Sequence, residues 1–158
     1  MSDPQEEASL RELALRDEAA TQALGARLAS LLERGDLIAL AGPLGAGKTT
    51  LARALLRQAA GEETLEVPSP TFTLVQTYTT PALEIWHVDL YRLEGPGAVD
   101  ELGLEEGLEA GALLVEWPDR AGDRLGGTRL DVRLEMAGAG RLARLAARGS
   151  WKERLVHV

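Results

Sequence analysis

The stretch GPLGAGKTT, residues 42–50, decides how this chain folds. It carries the pattern G-x-x-x-x-G-K-[ST], in which glycines let successive backbone N–H groups curl around an anion. An apolar run, LIALA at 37–41, precedes it, and LARALLRQAAG at 51–61 follows with helical spacing. Strand, glycine-rich turn and helix is the context that the pattern requires. The sequence therefore predicts a phosphate-binding loop at residues 42–49, named the phosphate loop below.

The residue types of the phosphate loop predict how it binds a nucleotide. Lys48 is expected to reach the β and γ phosphates, and the Thr49 hydroxyl is expected to bind Mg²⁺. The positive end of the following helix adds to the attraction for phosphate. Lysine occurs twice in the chain against fifteen arginines, so a lysine at this place is informative. The predicted nucleotide-binding residues of the segment are Pro43, Leu44, Gly45, Ala46, Gly47, Lys48, Thr49 and Thr50.

The flanking segments predict one α/β domain over residues 1–158, with residues 1–8 flexible. The expected architecture is a P-loop NTPase-like three-layer fold with a mixed sheet containing antiparallel hairpins. Residues 9–15 alternate weakly and predict an edge strand. Asp17 is a candidate N-cap for the next helix, which Gly35 is expected to end.

Two antiparallel hairpins account for much of the remaining chain. Residues 71–78 and 83–90 are rich in β-forming side chains and are separated by a short turn. TRLDVRLEM and RLARLAARG, separated by GAG, predict the second hairpin, and its Arg141, Arg144 and Arg148 are interpreted as a basic edge that favours solubility. The acidic, glycine-broken segment 96–111 predicts short helices with a solvated charged face.

Two acids end predicted strands and are candidate Mg²⁺ ligands and catalytic groups together with Lys48. Asp89 closes the first hairpin, and Glu116 ends the buried run ALLVE. Carboxyl ends of parallel strands meet at the ligand-binding edge of an open sheet, which is also where the phosphate loop begins. Hard cations prefer carboxylate and hydroxyl oxygens. Asp89 is alternatively a turn cap, and Glu116 either polarises the attacking water or holds Mg²⁺ through a water.

Other residues near these acids have two interpretations each. Trp117 either gates the site and meets a partner protein or is a core residue at a strand end. Ser69, Thr71 and Thr73 lie where P-loop hydrolases keep a segment that senses the γ-phosphate, although threonine is also common in ordinary strands. His87, two residues before Asp89 on the same face, could orient the site, but a lone strand histidine is more often a packing residue, so it is left out of the catalytic candidates.

Composition limits the class of protein. A net charge of −8 argues against direct binding of a nucleic-acid backbone. No apolar run approaches the length of a membrane span, there is no signal peptide, and no cysteine is present, so a soluble cytoplasmic protein with no membrane contact is expected. The chain also has no asparagine, which argues against a GTPase with an N-K-x-D guanine-binding motif.

The segments GPLGAGKTT, SPTFTLV, HVDLYRL and LVEWPDR, in this order and spacing, resemble the TsaE family, also called YjeE. The resemblance runs from about residue 9 to the C-terminus. It implies an ATPase that uses ATP and Mg²⁺ and associates with the TsaB and TsaD proteins, which threonylcarbamoylate the adenosine beside the anticodon of tRNA. Contact with tRNA would be indirect, through that complex.

The resemblance also implies roles for individual residues. Lys48 and Thr49 keep their phosphate-loop roles, and the segment containing Thr71 corresponds to the switch. Asp89 corresponds to the acid of the family's HxDLYR motif, and Glu116 with Trp117 to its EW pair. Adenine is expected near residues 15–17, which places Arg16 in the nucleotide site.

The residues leave two other functions open. A small-molecule P-loop kinase shares the loop, but it usually adds an arginine-rich lid and an acceptor pocket. A nucleotide-gated binding module would use ATP to order a docking surface. No arginine is placed on the γ-phosphate by a motif, although Arg92 and Arg120 follow the strand ends, so weak hydrolysis that a partner stimulates is expected.

Overall fold

A computed structural model describes residues 8–70 and 74–158. The expected flexible start, apart from Ala8, and the switch threonines Thr71 and Thr73 lie outside the described residues. Within them, no helix combines the length and the apolar character needed to cross a membrane. The elements are, in chain order, β1 Ser9–Leu15, α1 Glu18–Leu31, β2 Asp36–Ala41, α2 Lys48–Ala60, β3 Val75–Thr79, β4 Glu84–Asp89, a 3-10 helix Pro96–Leu102, α3 Leu104–Ala110, β5 Gly111–Glu116, a 3-10 turn Pro118–Ala121, β6 Thr128–Ala137, β7 Gly140–Ala147, α4 Trp151–Arg154 and a final 3-10 turn Leu155–His157.

One seven-stranded sheet has the order β1-β7-β6-β2-β5-β4-β3. β2 is parallel to both β5 and β6, and β4 is parallel to β5. The two edges are antiparallel, because β6, β7 and β1 pair in that sense at one edge and β3 and β4 at the other. The predicted mixed sheet with two antiparallel hairpins is therefore confirmed.

The core lies on both faces of the sheet, which explains the continuous apolar run of β2. Ile38 and Leu40 pack with the residues of α1, α2 and α4 on one face. Leu37 and Ala39 face the opposite side and pack against the segment that contains the first 3-10 helix and α3. Side chains alternate between the two faces of a strand, so a central strand covered on both sides must be apolar throughout. The three-layer prediction is confirmed.

The first helix begins as predicted but ends earlier. The Asp17 carboxylate accepts a 2.9 Å hydrogen bond from the Ala20 N–H, so it is the N-cap. The helix stops at Leu31, and Leu32 is already extended. The prediction that Gly35 ends the helix is wrong. Gly35, at φ 90°, instead shapes the turn into β2.

The acidic segment before β5 covers the sheet in addition to presenting charge. Its carboxylates are exposed as expected, but Val99 and Leu104 are buried in the second core cluster. Gly107 of α3 also packs closely, because a Cβ at this position would lie 2.7 Å from Leu113 and from Trp86. The interpretation of this segment as only a solvated face is therefore incomplete. Its glycine lets a short helix approach the strands, and the helix forms part of the third layer.

Candidate functional site

The phosphate loop connects β2 to α2 with a backbone that glycine permits. Gly42 has φ 137°, and a Cβ there would lie 2.3 Å from the carbonyl oxygen of Leu134 in β6. Gly47, at φ 103°, is the N-cap of α2. These left-handed conformations are strained for other residue types. The loop therefore reaches the N-terminus of a 13-residue helix, whose free N–H groups and dipole favour an anion.

Lys48 is the central charged residue of the site. Its side chain is 5% exposed, and its ammonium donates a 2.6 Å hydrogen bond to the Gly42 carbonyl oxygen. The same Nζ lies 3.6 Å from the centre of the Trp117 ring, a cation–π contact. Burial lowers the pKa of Lys48 from its ordinary value, and the negative charges of Glu116 and Asp89 oppose that shift. The ammonium is therefore held between a carbonyl dipole, an indole face and two carboxylates.

Asp89 and Glu116 meet at the sheet edge where the sequence predicts them. They end the parallel strands β4 and β5, and their Cα positions are paired in the register. Both line a cavity of about 410 Å³ together with Lys48, Thr49 and Trp117. Asp89 Oδ1 accepts a 2.9 Å hydrogen bond from the Tyr91 N–H, which orients its carboxylate.

The oxygen ligands of this cavity fit Mg²⁺ better than a transition metal. Thr49 supplies a hydroxyl, and Asp89 and Glu116 supply carboxylates. The described residues contain no group of three or more His, Cys, Asp or Glu side chains that could hold a metal ion by themselves. Mg²⁺ keeps several waters and usually takes only one or two protein carboxylates, with substrate phosphates completing its shell. The donors therefore suit a magnesium ion that arrives with a nucleotide.

His87 contacts this cluster, an arrangement that suits the alternative in which it orients the site. Its side chain is buried, and Nε2 lies 2.8 Å from Oε2 of Glu116. The sequence contains one signal for this contact, because His87 is two residues before Asp89 and therefore points to the same face of β4. The register between β4 and β5, which a single sequence does not reveal, brings Glu116 to it.

Trp117 has an unusual backbone conformation for a non-glycine residue. It is in the left-handed region at φ 58°, which is uncommon outside glycine. Its ring contacts that of Tyr91 in a tilted arrangement, at 51° and with 4.9 Å between centres, and Tyr91 is itself 40% exposed. The Arg120 guanidinium lies over the Tyr91 ring, 5.4 Å from its centre, whereas Arg92 lines the cavity. The two arginines considered for the γ-phosphate thus have different environments.

A second, smaller cavity adjoins the phosphate loop on the side of α1 and β7. It measures about 190 Å³ and is lined by residues that include Leu15, Asp17, Thr50 and Arg141. Arg16 lies between Leu15 and Asp17 in the sequence and is exposed. Its assignment to the nucleotide site stays a prediction. This is the expected location of the adenine.

Arg141 has a structural contact beyond its interpretation as part of a basic edge that favours solubility. Its Nη2 donates a 3.1 Å hydrogen bond to the Gly45 carbonyl oxygen of the phosphate loop. Arg144 instead pairs with Glu12 and Glu135 on the sheet. The pairing of β7 with β1 and β6 carries Arg141 to the loop, and no motif in the sequence signals that contact.

The fold and the site together define an α/β protein of the P-loop NTPase-like class. Residues 15–144 match the family model described as "Threonylcarbamoyl adenosine biosynthesis protein TsaE". The chain belongs to the TsaE family, whose role lies in the biosynthesis of threonylcarbamoyladenosine in tRNA.

Similar proteins cover most of the chain. It is 41% identical over 124 residues to the tRNA threonylcarbamoyladenosine biosynthesis protein TsaE of Rickettsia felis, an alignment that spans 78% of this chain and 72% of that protein. The protein of the same description from Mycobacterium bovis is 40% identical over 126 residues, 73% of each chain. The crystal structure of Bacillus subtilis YdiB superposes with a TM-score of 0.77 at 28% identity, covering 94% of this chain and 93% of that one.

Proposed function

We propose that this chain binds and hydrolyses ATP with Mg²⁺ in the cytoplasm and docks on the TsaB–TsaD threonylcarbamoyl transferase, supporting modification of the tRNA adenosine beside the anticodon. The observation that carries the proposal is the convergence on one cavity of Lys48, Thr49, Asp89 and Glu116. A phosphate-binding loop beside two carboxylates at the carboxyl ends of parallel strands is the arrangement that nucleotide hydrolysis requires.

Each residue of the cavity has a role in this function. The N–H groups of the loop and the start of α2 hold the phosphates, and Lys48 contributes the positive charge. Thr49, Asp89 and Glu116 would hold Mg²⁺, which neutralises phosphate charge when it is bound. Glu116 is also the candidate for orienting the attacking water, because it ends β5, which lies directly beside β2 and the loop that follows it, whereas Asp89 ends β4, one strand farther away. The adjoining cavity that Asp17 and Arg141 line would take the adenosine.

The contacts of Lys48 support weak hydrolysis by the isolated chain. Its ammonium is hydrogen-bonded to the Gly42 carbonyl oxygen and covered by the Trp117 ring. Engaging a γ-phosphate requires at least part of these contacts to be exchanged. A partner that moved Trp117 would release Lys48 and could supply or position the transition-state cation. We expect the TsaB–TsaD pair to stimulate turnover by this route.

The mouth of the cavity supports docking of a protein at the same place. Leu44 of the phosphate loop is 72% exposed, and Tyr91, which also lines the cavity, is 40% exposed. Exposed apolar and aromatic residues around a functional cavity are typical of interaction sites. The net charge of −8 favours a protein partner here and only indirect contact with tRNA.

The test is Mg²⁺-dependent ATP hydrolysis by the full chain, alone and with TsaB and TsaD of the same organism. We expect slow phosphate release alone, stimulation by the pair that reaches roughly 10³- to 10⁵-fold if the pair supplies a cation in trans, and loss of both activities in Lys48→Ala. The kinase alternative predicts phosphate transfer to a small molecule and no stimulation by the pair. Fast hydrolysis that the pair leaves unchanged would contradict the gating by Trp117.

A further inference from the structure

We propose that His87 is a positioning residue that holds Glu116 in the orientation needed for ATP hydrolysis, an inference that rests on the proposed function. His87 lies in β4 and Glu116 ends the adjacent parallel strand β5. Their side chains are joined by a 2.8 Å contact between Nε2 and Oε2. His87 is 2% exposed and Glu116 4% exposed, so water does not compete for this hydrogen bond.

Packing alone does not account for a histidine at this position. On the same face, its neighbours in the core are Ile85 and Leu114, which are fully or almost fully buried. His87 Nδ1 is also buried and has no hydrogen-bond partner within the described residues. A buried polar atom without a partner costs about 1–3 kcal/mol. A leucine would fill the same apolar space without that cost, so the presence of an imidazole is explained by the contact of its Nε2 with Glu116.

What Nε2 does is set by the chemistry of Glu116. An ionised carboxylate only accepts hydrogen bonds, so an ionised Glu116 requires the proton of the contact on Nε2, which then donates to Oε2. A buried carboxylate needs such a donor, because an unpaired charge in the interior is strongly unfavourable. The bond fixes the rotation of the carboxylate and occupies one of its oxygens. It leaves Oε1 for the cavity that Lys48 and Thr49 line.

The role of His87 is indirect, because His87 does not line the cavity of about 410 Å³ that contains Lys48, Asp89 and Glu116. Nucleotide binding should therefore depend little on His87, whereas the hydrolytic step should depend on it through the aim of Glu116. Partners that orient a ligating or catalytic carboxylate typically change affinity or activity by 10- to 100-fold when they are removed. A separation of turnover from nucleotide affinity is the signature that a purely structural residue would not produce.

The test compares three substitutions of His87 in the full chain. His87→Leu removes the donor, and His87→Asn carries an amide at the reach of Nδ1. His87→Gln carries its amide at about the reach of Nε2 and can still donate to Glu116. We expect kcat with TsaB and TsaD to fall roughly 10- to 100-fold in the first two and to recover largely in His87→Gln. The Kd for Mg-ATP should stay within about twofold in all three.

A spectroscopic arm tests the hydrogen bond without any activity. The chain has two histidines, and the second, His157, is exposed near the C-terminus. His157→Gln therefore leaves only the His87 signals in a ¹H–¹⁵N spectrum of imidazole nitrogens and is also the matched control for kcat, which it should not change. We expect the nitrogen shifts of a protonated Nε2, altered by Glu116→Gln. Nitrogen shifts of an Nε2 that carries no proton, or shifts that stay unchanged in Glu116→Gln, would overturn the inference.

The outcomes separate this inference from the function it rests on. If the unmodified chain releases no phosphate with or without TsaB and TsaD, the proposed function fails and the role of His87 fails with it. If the unmodified chain hydrolyses ATP and His87→Leu keeps its kcat, only the inference about His87 fails. Equal losses of kcat and Mg-ATP affinity in all three variants, with no recovery in His87→Gln, would reduce His87 to structural support and overturn the inference as well.

Discussion

Replacing Trp117 by leucine should tighten the binding of Mg-ATP. The Trp117 ring covers the Lys48 ammonium at 3.6 Å while that ammonium donates to the Gly42 carbonyl oxygen. This contact stabilises the arrangement in which Lys48 is turned toward the protein. Without the ring, the same lysine gives up less when it moves to a phosphate. A ligand that prefers one of two arrangements binds more tightly when the competing arrangement is destabilised.

The size of the effect follows from the geometry of the contact. Lys48 is 5% exposed, and a desolvated cation–π contact contributes about 2 kcal/mol. Since roughly 1.4 kcal/mol corresponds to a tenfold change in Kd, the upper limit is about a 30-fold gain in affinity. The hydrogen bond to Gly42 remains in the variant, so the gain should fall below that limit.

Isothermal titration with Mg-ATP and Mg-ADP measures the change directly. Trp117→Phe keeps an aromatic face and should bind within about threefold of the unmodified chain. In a Lys48→Met background, Trp117→Leu should have no further effect, because the pair that couples is already broken. Equal or weaker binding by Trp117→Leu would refute the reasoning and indicate that Trp117 contacts the nucleotide itself.

Three further predictions concern stability. Lys48→Met removes an ammonium whose pKa is lowered by burial, so between that lowered pKa and 10.5 the unfolded chain binds more protons than the folded chain and the unmodified protein gains stability as pH rises. Urea titrations from pH 7 to 10 should therefore show the stability of the variant, relative to the unmodified protein, declining as pH rises. Arg154→Leu removes the bidentate partner, at 2.6 and 2.9 Å, of the 2% exposed Asp36 carboxylate and leaves it the Glu33 N–H, which donates at 2.6 Å. The free energy of unfolding should fall by about 3 kcal/mol, the lower end of the cost of breaking a buried ion pair, whereas no change in the urea midpoint would mean that water reaches Asp36. Gly42→Ala places a Cβ 2.3 Å from the Leu134 carbonyl oxygen at φ 137° and should lower the free energy of unfolding by about 1–3 kcal/mol and weaken nucleotide binding. An unchanged Kd for Mg-ATP in calorimetry would show that the loop accommodates the added methyl group.

The site could be predicted from the sequence where its chemistry is local in the chain. The phosphate loop is a continuous segment whose backbone demands glycine, so its position needs no tertiary information. The position of Glu116 beside the phosphate loop also follows from the sequence, because ligands bind beyond the carboxyl ends of parallel strands whatever the exact register. Asp89 is predicted there from its chemistry, as the acid that would hold Mg²⁺ opposite Thr49. Their roles as metal ligands stay predictions.

The missed contacts are those that depend on register or on strand order. His87 meets Glu116 only because β4 and β5 align Asp89 with Glu116, which leaves a diagonal neighbour within hydrogen-bond reach. Arg141 reaches the Gly45 carbonyl oxygen only because β7 lies between β1 and β6. A shift of register by one residue would turn either side chain to the opposite face of the sheet. Composition and spacing carry no such information in a single chain.

By itself, the sequence determined the class of fold, the phosphate loop and the resemblance to a family, because periodicity, glycine conformations and short motifs are properties of neighbouring residues. The tertiary structure alone decided that Lys48 lies under Trp117, that His87 contacts Glu116 and that Arg141 contacts the phosphate loop. These contacts join residues that are distant along the chain. They arise from the burial of two sheet faces and the pairing of strands, which no local pattern specifies.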